Sequence, residues 1–292
     1  MTAYSEYNPI VIFLYFIMVA GPVMFIMNPV LPAISLFGAV ICFALRERRE
    51  KDRSIAAFVV LFLLLALLNP LFHHNGVTVL FLINDNPITL EALFYGLTSS
   101  TMVIAVIFWF RSFSRLMTGD RLLYVFGKAS PKFALMLSMA LRYIPLFAEQ
   151  ARKIKTARRA MGAYEEENLW DTVRGSVKVF VSLAGWSLEN GIITADSMEA
   201  RGYGSGKRTF FSRYVFGKKD WLALLIIAVS SGGVIAGKIF GCLDFEFYPK
   251  AEGDLFSKGA LLSYACYFVL TILPLIDRIA ERGKWKYLES TI

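Results

Sequence analysis

The residues of this chain whose types and spacing could do chemistry are few, and each is quickly tested. The run GYGSGKRT (202–209) offers glycines and a lysine, the ingredients of a phosphate-binding loop. A Walker A loop needs G-x-x-x-x-G-K-[ST]. Counting back from Gly206-Lys207, the first glycine position is held by Arg201, and Arg208 follows the lysine. The run is therefore not expected to bind nucleotide, and any ATP-driven step would need another chain. His73 and His74 are the only histidines, with no cysteine nearby and Asp85 the closest acid. Zinc asks for three or four ligands, so the pair reads as a polar cap at a membrane edge. Cys42, Cys242 and Cys266 are too far apart for a metal or redox motif and read as core thiols. Glu91 reads as a headgroup-depth acid, and apolar runs otherwise almost free of ionisable groups argue against an ion-coupled carrier. No Ser–His–Asp set, HExxH or paired catalytic carboxylates occur. No catalytic residue, cofactor or metal is expected.

What remains is a pair of helix ends. LFAEQARKIKTARRAMG (146–162) is a strongly basic helix end that finishes at Met161-Gly162, and WSLENGIITADSMEARG (186–202) finishes at Gly202. Glycine suits the position just past a helix because it tolerates the left-handed conformation, and a cation there meets the negative end of the dipole. Each long helix thus closes on small-x-Gly: Ala160-Met161-Gly162 and Ala200-Arg201-Gly202. One such stop is ordinary; the matching pair is less so. Arg201 offers a planar, permanently charged fork for a partner's carboxylate.

The elements that must position these ends are membrane helices. Of 292 residues, 56% are hydrophobic and 18% charged, with 25 Phe; soluble domains carry about a quarter charged residues. The apolar residues fall in blocks long enough to cross a bilayer, about 20 per helix. Pro9 to Leu45 is too long for one span, and Gly21-Pro22 and Asn28-Pro29 interrupt it, so it reads as a hairpin, 9–27 and 29–45. Further spans are expected at 54–72, 88–110, 221–241 and 259–276. The first run lacks a basic region and cleavage site before it and reads as a retained helix. The net charge of +8 would suggest nucleic acid on a soluble protein; here Lys and Arg gather in 46–53, 111–219 and the tail, so no nucleic-acid partner is expected. The connectors 73–87 and 242–258 are poor in cations. The positive-inside rule places both termini and 111–219 in the cytoplasm of a multi-pass plasma-membrane protein. The expected fold is all-α: a polytopic helical membrane protein of about six transmembrane helices with a long cytoplasmic pair. Its expected domains are 1–110 (membrane helices 1–4), 111–219 (cytoplasmic segment) and 220–292 (helices 5–6 and tail).

Within 111–219, two apolar stretches do not read as spans. Residues 131–150 carry Arg142 and Pro145, and 175–195 carry Lys178, Glu189 and Asn190. An ionised group at mid-bilayer costs about 2.5–3.5 kcal/mol on insertion scales, so amphipathic helices at the interface or against a partner are expected. Gly175, Ser176, Ser182, Ala184, Gly185, Ser187, Gly191 and Ala195 permit close helix approach. Met136, Met139 and Met198 add adaptable surface.

At these residues the chain resembles the transmembrane T component of energy-coupling factor (ECF) transporters, the EcfT/CbiQ family. ADSMEARGYGSGKRT (195–209) carries the resemblance most strongly, with ALRYIPLFAEQARKIKTARRAMG (140–162) beside it. It covers most of the chain in layout and is specific over about 130–210. The resemblance implies two coupling helices whose Ala-Arg-Gly ends sit in grooves of a pair of ABC-type ATPase subunits. It also implies a substrate-binding S component held in the membrane, and a non-catalytic role in uptake of a vitamin, related micronutrient or metal ion. Ala200, Arg201 and Gly202 match the second motif. Ala160, Met161 and Gly162 match the first except that Met161 replaces Arg; a thioether cannot donate to a carboxylate. Either that contact is apolar or Arg158 or Arg159 supplies the charge. The alternatives are an autonomous secondary transporter or channel, and a membrane enzyme with a site around Tyr203–Thr209.

Overall fold

A computed structural model describes residues 7–46, 51–72, 76–83, 86–162, 169–206, 214–249 and 251–289. The chain divides into two compact units, Met1–Thr118 with Tyr214–Ile292, and Gly119–Arg213.

The first unit contains the apolar helices. They are α1 (Pro9–Phe25), α2 (Val30–Arg46), α3 (Lys51–Phe72) and α4 (Leu90–Leu116). A hairpin of β1 (Val79–Ile83) and β2 (Asn86–Thr89) precedes α4, and the segment after the second unit adds α8 (Lys218–Ile239) and α9 (Lys258–Glu289). Leu90–Leu116, Lys218–Ile239 and Lys258–Ile276 are long and apolar enough to cross a membrane, and Pro9–Phe25, Val30–Phe43 and Ala56–Phe72 are shorter apolar helices. Apolar helices occupy all six positions where spans are expected, and the chain is an all-α polytopic membrane protein. Helix α1 runs straight through Pro22 and ends before Asn28-Pro29. Two lengths differ from expectation: α4 runs six residues past Phe110, and α9 stays helical through the basic tail to Glu289. Basic residues in a final turn favour such continuation, because they complement the helix C-terminus.

The helices pack with α2 between α4 and α9, α8 on α9, α1 against α4 and α8, and α3 against α4. The buried face of α1 (Val11, Ile12, Tyr15, Phe16, Val19, Val23) meets Trp109, Ile227 and Tyr267. A bilayer interior has no water to satisfy polar groups, so they pair inside the protein. Trp109 Nε1 donates to Ser35 Oγ at 2.9 Å, and Tyr267 Oη donates to the Val19 carbonyl at 2.9 Å. Cys42 and Cys266 pack at the margin of this core. Close helix approach depends on small residues. At Gly237 of α8 a Cβ would collide with Ser263 of α9. Gly237→Ala should therefore lower stability by about 2 kcal/mol, the usual range for overpacking. A thermal or denaturant unfolding series in detergent checks this, and an unshifted midpoint would show that α8 and α9 separate freely there.

Hydrogen bonds and ring contacts sort the helix ends of this unit. Asn28, between α1 and α2, donates through Nδ2 to the Leu243 carbonyl after α8 and accepts from Tyr264 Oη of α9, at 3.3 and 3.0 Å. Its Oδ1 also accepts from Val30 N at 3.0 Å, which starts α2. Tyr95, early in α4, meets Phe247 and Tyr248 at ring-centroid distances of 5.3 and 5.7 Å. These ends therefore share one side of the unit. At the other, Asn8 N donates to Asp220 Oδ1 at 3.0 Å, joining the starts of α1 and α8.

The hairpin was not expected, since 73–87 reads as a plain connector. Its strands pair antiparallel, Phe81 with Ile88 and Ile83 with Asn86. The β-branched and aromatic run VTVLFLI before Asn84-Asp85-Asn86-Pro87 is the signal that could have found it. Glu91, 4% exposed, clamps the hairpin to α4, accepting from Thr78 N at 3.2 Å and from the Thr78 hydroxyl. His73 and His74 lie outside the described residues. No cluster of three His, Cys, Asp or Glu suited to a metal occurs among the described residues.

Candidate coupling site

The second unit consists of α5 (Gly119–Ala129), α6 (Pro131–Ala160) and α7 (Leu169–Ala200). Helix α5 was not expected; Gly119-Asp120 at its start and Leu122, Leu123 and Phe126 at helical spacing mark it in retrospect. It packs on α6, where Phe126 and Phe133 meet edge to face at 5.5 Å. Pro131 opens α6 at a position where its missing N–H costs nothing. Pro145 lies inside α6 without ending it.

The last turns of α6 are basic, and Lys153 pairs with Glu149 one turn back at 2.8 Å. The hydrogen bond and charge of Lys153, helped by Arg152, hold the Glu149 carboxyl below the usual carboxylate range. On α7, Val173, Val177, Phe180, Val181, Leu188 and Ile192 are all more than half exposed. Their spacing places them in a stripe that the other described residues of this unit leave largely uncovered.

Three contacts set the register of α6 on α7. Tyr143 Oη and Thr194 Oγ1 share a hydrogen bond at 2.9 Å, and Phe147 meets Trp186 edge to face at 5.9 Å. Arg158 Nη2 donates to Ser182 Oγ at 3.0 Å and to the Lys178 carbonyl at 3.4 Å. Positions rise along α6 as they fall along α7, so the helices run antiparallel. Ala160 therefore lies beside the region of Lys178, about 22 residues from Ala200. At 1.5 Å per residue the two small-x-Gly ends stand roughly 33 Å apart.

The two ends share one local geometry. At the α7 end Gly202 has φ 77°, its N–H donates to Glu199 O at 2.9 Å, and Tyr203 N donates to Met198 O at 3.0 Å. That is the Schellman pattern, which satisfies the last carbonyls of a helix. At the α6 end Gly162 has φ 66° and its N–H donates to Arg159 O at 3.1 Å. In both cases the positive φ, rather than lack of space, selects glycine. Ala160, Met161, Gly162, Ala200, Arg201, Gly202 and Arg159 are exposed, while Arg158 is half-buried. Lys207, Arg208 and Thr209 lie outside the described residues.

Sequence reasoning left open whether Arg158 faces a partner. The structure turns it onto α7, a pairing across 24 positions that no local pattern signals. Arg158→Ala should loosen the α6–α7 pair by about 1 kcal/mol, the worth of a typical hydrogen bond. Faster amide exchange over 176–184 would register it; unchanged exchange would mean that the bridge carries no weight.

Residues 5–210 match the sequence profile of CbiQ, described as cobalt transport protein. The chain belongs to the CbiQ family. This agrees with the resemblance carried by 140–162 and 195–209, since the matched range contains both. The CbiQ-family chain is also 34% identical over 112 residues to the energy-coupling factor transporter transmembrane protein EcfT of Bacillus selenitireducens, covering 38% of this chain and 42% of that protein. It is 33% identical over 115 residues to EcfT of Streptococcus thermophilus (39% and 43%). Against EcfT 1 of Listeria monocytogenes it is 36% identical over 104 residues (35% and 39%). The matched stretches span about two fifths of the length of these relatives.

Proposed function

We propose that this chain is the transmembrane T component of an ATP-driven ECF-type importer. It couples a pair of ABC-type ATPase subunits to a membrane-embedded S component, which binds the vitamin, related micronutrient or metal ion. The observation that carries the reading is the pair of exposed small-x-Gly helix ends. They have the same glycine-turned geometry and stand at opposite ends of one antiparallel helix pair, far enough apart to engage two subunits at once. The exposed apolar stripe of α7 suits an S component, because contiguous apolar surface of this kind marks an interaction site. The basic loops support a plasma-membrane orientation with both termini and 111–219 in the cytoplasm. That is the side on which ATP is found.

In this reading nucleotide-driven closure of the ATPases moves the two helix ends, and the coupling helices carry that motion to the S component. The chain itself needs no catalytic group. Tagging it, solubilising the native membrane in mild detergent and identifying what stays bound tests the proposal. ABC-type ATPase subunits and a small membrane protein should co-purify. Recovery of the chain alone, under conditions that preserve other membrane complexes, would favour an autonomous transporter instead.

A further inference from the structure

The hairpin before α4 exposes apolar side chains that the other described residues leave uncovered. Val77, Val79 and Leu80 are each about half exposed. No Lys, Arg, Asp or Glu occurs in 76–83, and the polar residues gather at the turn, Asn84-Asp85-Asn86.

The charges on α3 and α4 fix the depth of this hairpin in the bilayer. Helix α4 carries 19 uncharged residues between Glu91 and Arg111 (92–110), and α3 carries 19 after Arg53 (54–72). At 1.5 Å per residue each run is about 29 Å long, which matches a hydrocarbon core about 30 Å thick. Glu91 and Phe72 therefore lie at one edge of that core, and Arg111 and Arg53 at the other. Leu90 N donates to the Thr78 carbonyl at 3.0 Å, and Thr78 N donates to Glu91 Oε1 at 3.2 Å. These bonds hold Thr78 at the level of Glu91. Leu80 is two residues further on, within about 7 Å of that level at full extension. The headgroup layer is itself about 5–7 Å deep on each face.

The surroundings of the hairpin are those of a membrane interface. Leu90, Leu93 and Leu97 of α4 are exposed at i, i+3 and i+7, a stripe that faces lipid and runs up to the hairpin. The rings of Tyr95 and Tyr248 meet at the same end of α4, and tyrosines gather where hydrocarbon gives way to water. Glu91 turns inward onto Thr78. The sheet has two strands, so its outer edges are open. Open edges do not occur in hydrocarbon, and water and headgroups can satisfy them.

We propose that the 77–89 hairpin is an interfacial anchor whose apolar stem seats among the lipid headgroups of the leaflet away from the basic loops. That is the outer leaflet in the orientation proposed above. The stem holds α3 and α4 at a fixed depth on that face. It offers no cation to an anionic headgroup, so burial of apolar side chains carries the contact, and lipid charge has little influence on it.

The test places a cysteine at one position at a time in the full chain, labels it with an environment-sensitive fluorophore and reconstitutes the protein in lipid bilayers. The labelled parent chain supplies the background from the native cysteines. Val77→Cys and Leu80→Cys probe the stem, Leu93→Cys the lipid-facing stripe, and Asp254→Cys an exposed position in the acidic connector. All four replace exposed side chains, and two stem positions guard against one variant failing to fold. A lipid-borne nitroxide near the headgroup should quench the stem labels at least about twofold more than one near the acyl-chain end, as interfacial seating requires. Aqueous iodide should quench them far less than the label at 254. Bilayers with and without anionic lipid should give the same result. Iodide quenching at 77 and 80 equal to that at 254 would put the hairpin in water and overturn the proposal. Protection from iodide and from both nitroxides would mean that protein covers the stem, and stronger quenching from the acyl-chain end would put it in hydrocarbon. Either result also overturns the proposal.

Discussion

Arg201→Glu should abolish ATP-driven uptake while leaving the chain in the membrane at its normal level. Arg201 caps α7 beside Gly202, and its guanidinium has no partner among the described residues. Reversing its charge therefore breaks no side-chain contact and gives up only the interaction with the helix C-terminus, worth about 0.3–1 kcal/mol. On the proposed docking its effect falls on the ATPase partner. An arginine anchor at a docking interface is commonly worth about 2 kcal/mol or more, some thirtyfold in affinity, and a glutamate facing a carboxylate adds repulsion. Arg201→Lys should fall between, since lysine keeps the charge and loses the planar fork. Uptake in whole cells and ATPase recovery on the tagged chain would be measured together. Wild-type uptake by Arg201→Glu would remove the coupling role from this end of α7.

Asp220→Ala should unsettle the membrane unit by about 3 kcal/mol, because it strands two backbone donors. The Asp220 carboxylate accepts from Asn8 N at 3.0 Å and from Gly217 N at 2.8 Å, and it is 5% exposed. The first bond ties the start of α1 to the start of α8 across 212 positions, and in the second the N3 side chain of α8 reaches back to the N–H of its N-cap. Asn8 is itself the N-cap of α1, its Oδ1 accepting from Ile10 N at 3.1 Å. One carboxylate thus holds both helix starts. Asp220→Asn keeps one acceptor and should cost about half as much on the same grounds. Unfolding midpoints in detergent would rank the three proteins. Equal midpoints would mean that water or other groups satisfy these donors, and the clasp would lose its importance.

The sequence determined most of the architecture of this protein. A bilayer accepts only backbone that satisfies its own hydrogen bonds, so uninterrupted apolar blocks become helices whatever surrounds them. Asn28-Pro29 divides the first block because proline disfavours helix at the residue before it. The two helix stops were equally legible, since a left-handed residue past a helix end is a local requirement that glycine meets. The short elements were less visible. The hairpin 79–89 and α5 are brief, and their weak local preferences depend on Glu91 and on α6 to hold them in place.

Only the tertiary structure decided which residues from distant parts of the chain meet. Nothing in the local pattern around Asp220 says that it receives the N–H of Asn8. Nor does the string TARRAMG say that Arg158 turns back to Ser182 and leaves Met161 at the tip of α6. The antiparallel register of α6 on α7, and with it the wide separation of the two ends, comes from pairings at Tyr143–Thr194, Phe147–Trp186 and Arg158–Ser182. Helix formation is a short-range matter of backbone bonds and side-chain periodicity, which sequence displays directly. Register and partner choice depend on surfaces brought together from far along the chain, and those exist only once the helices have packed.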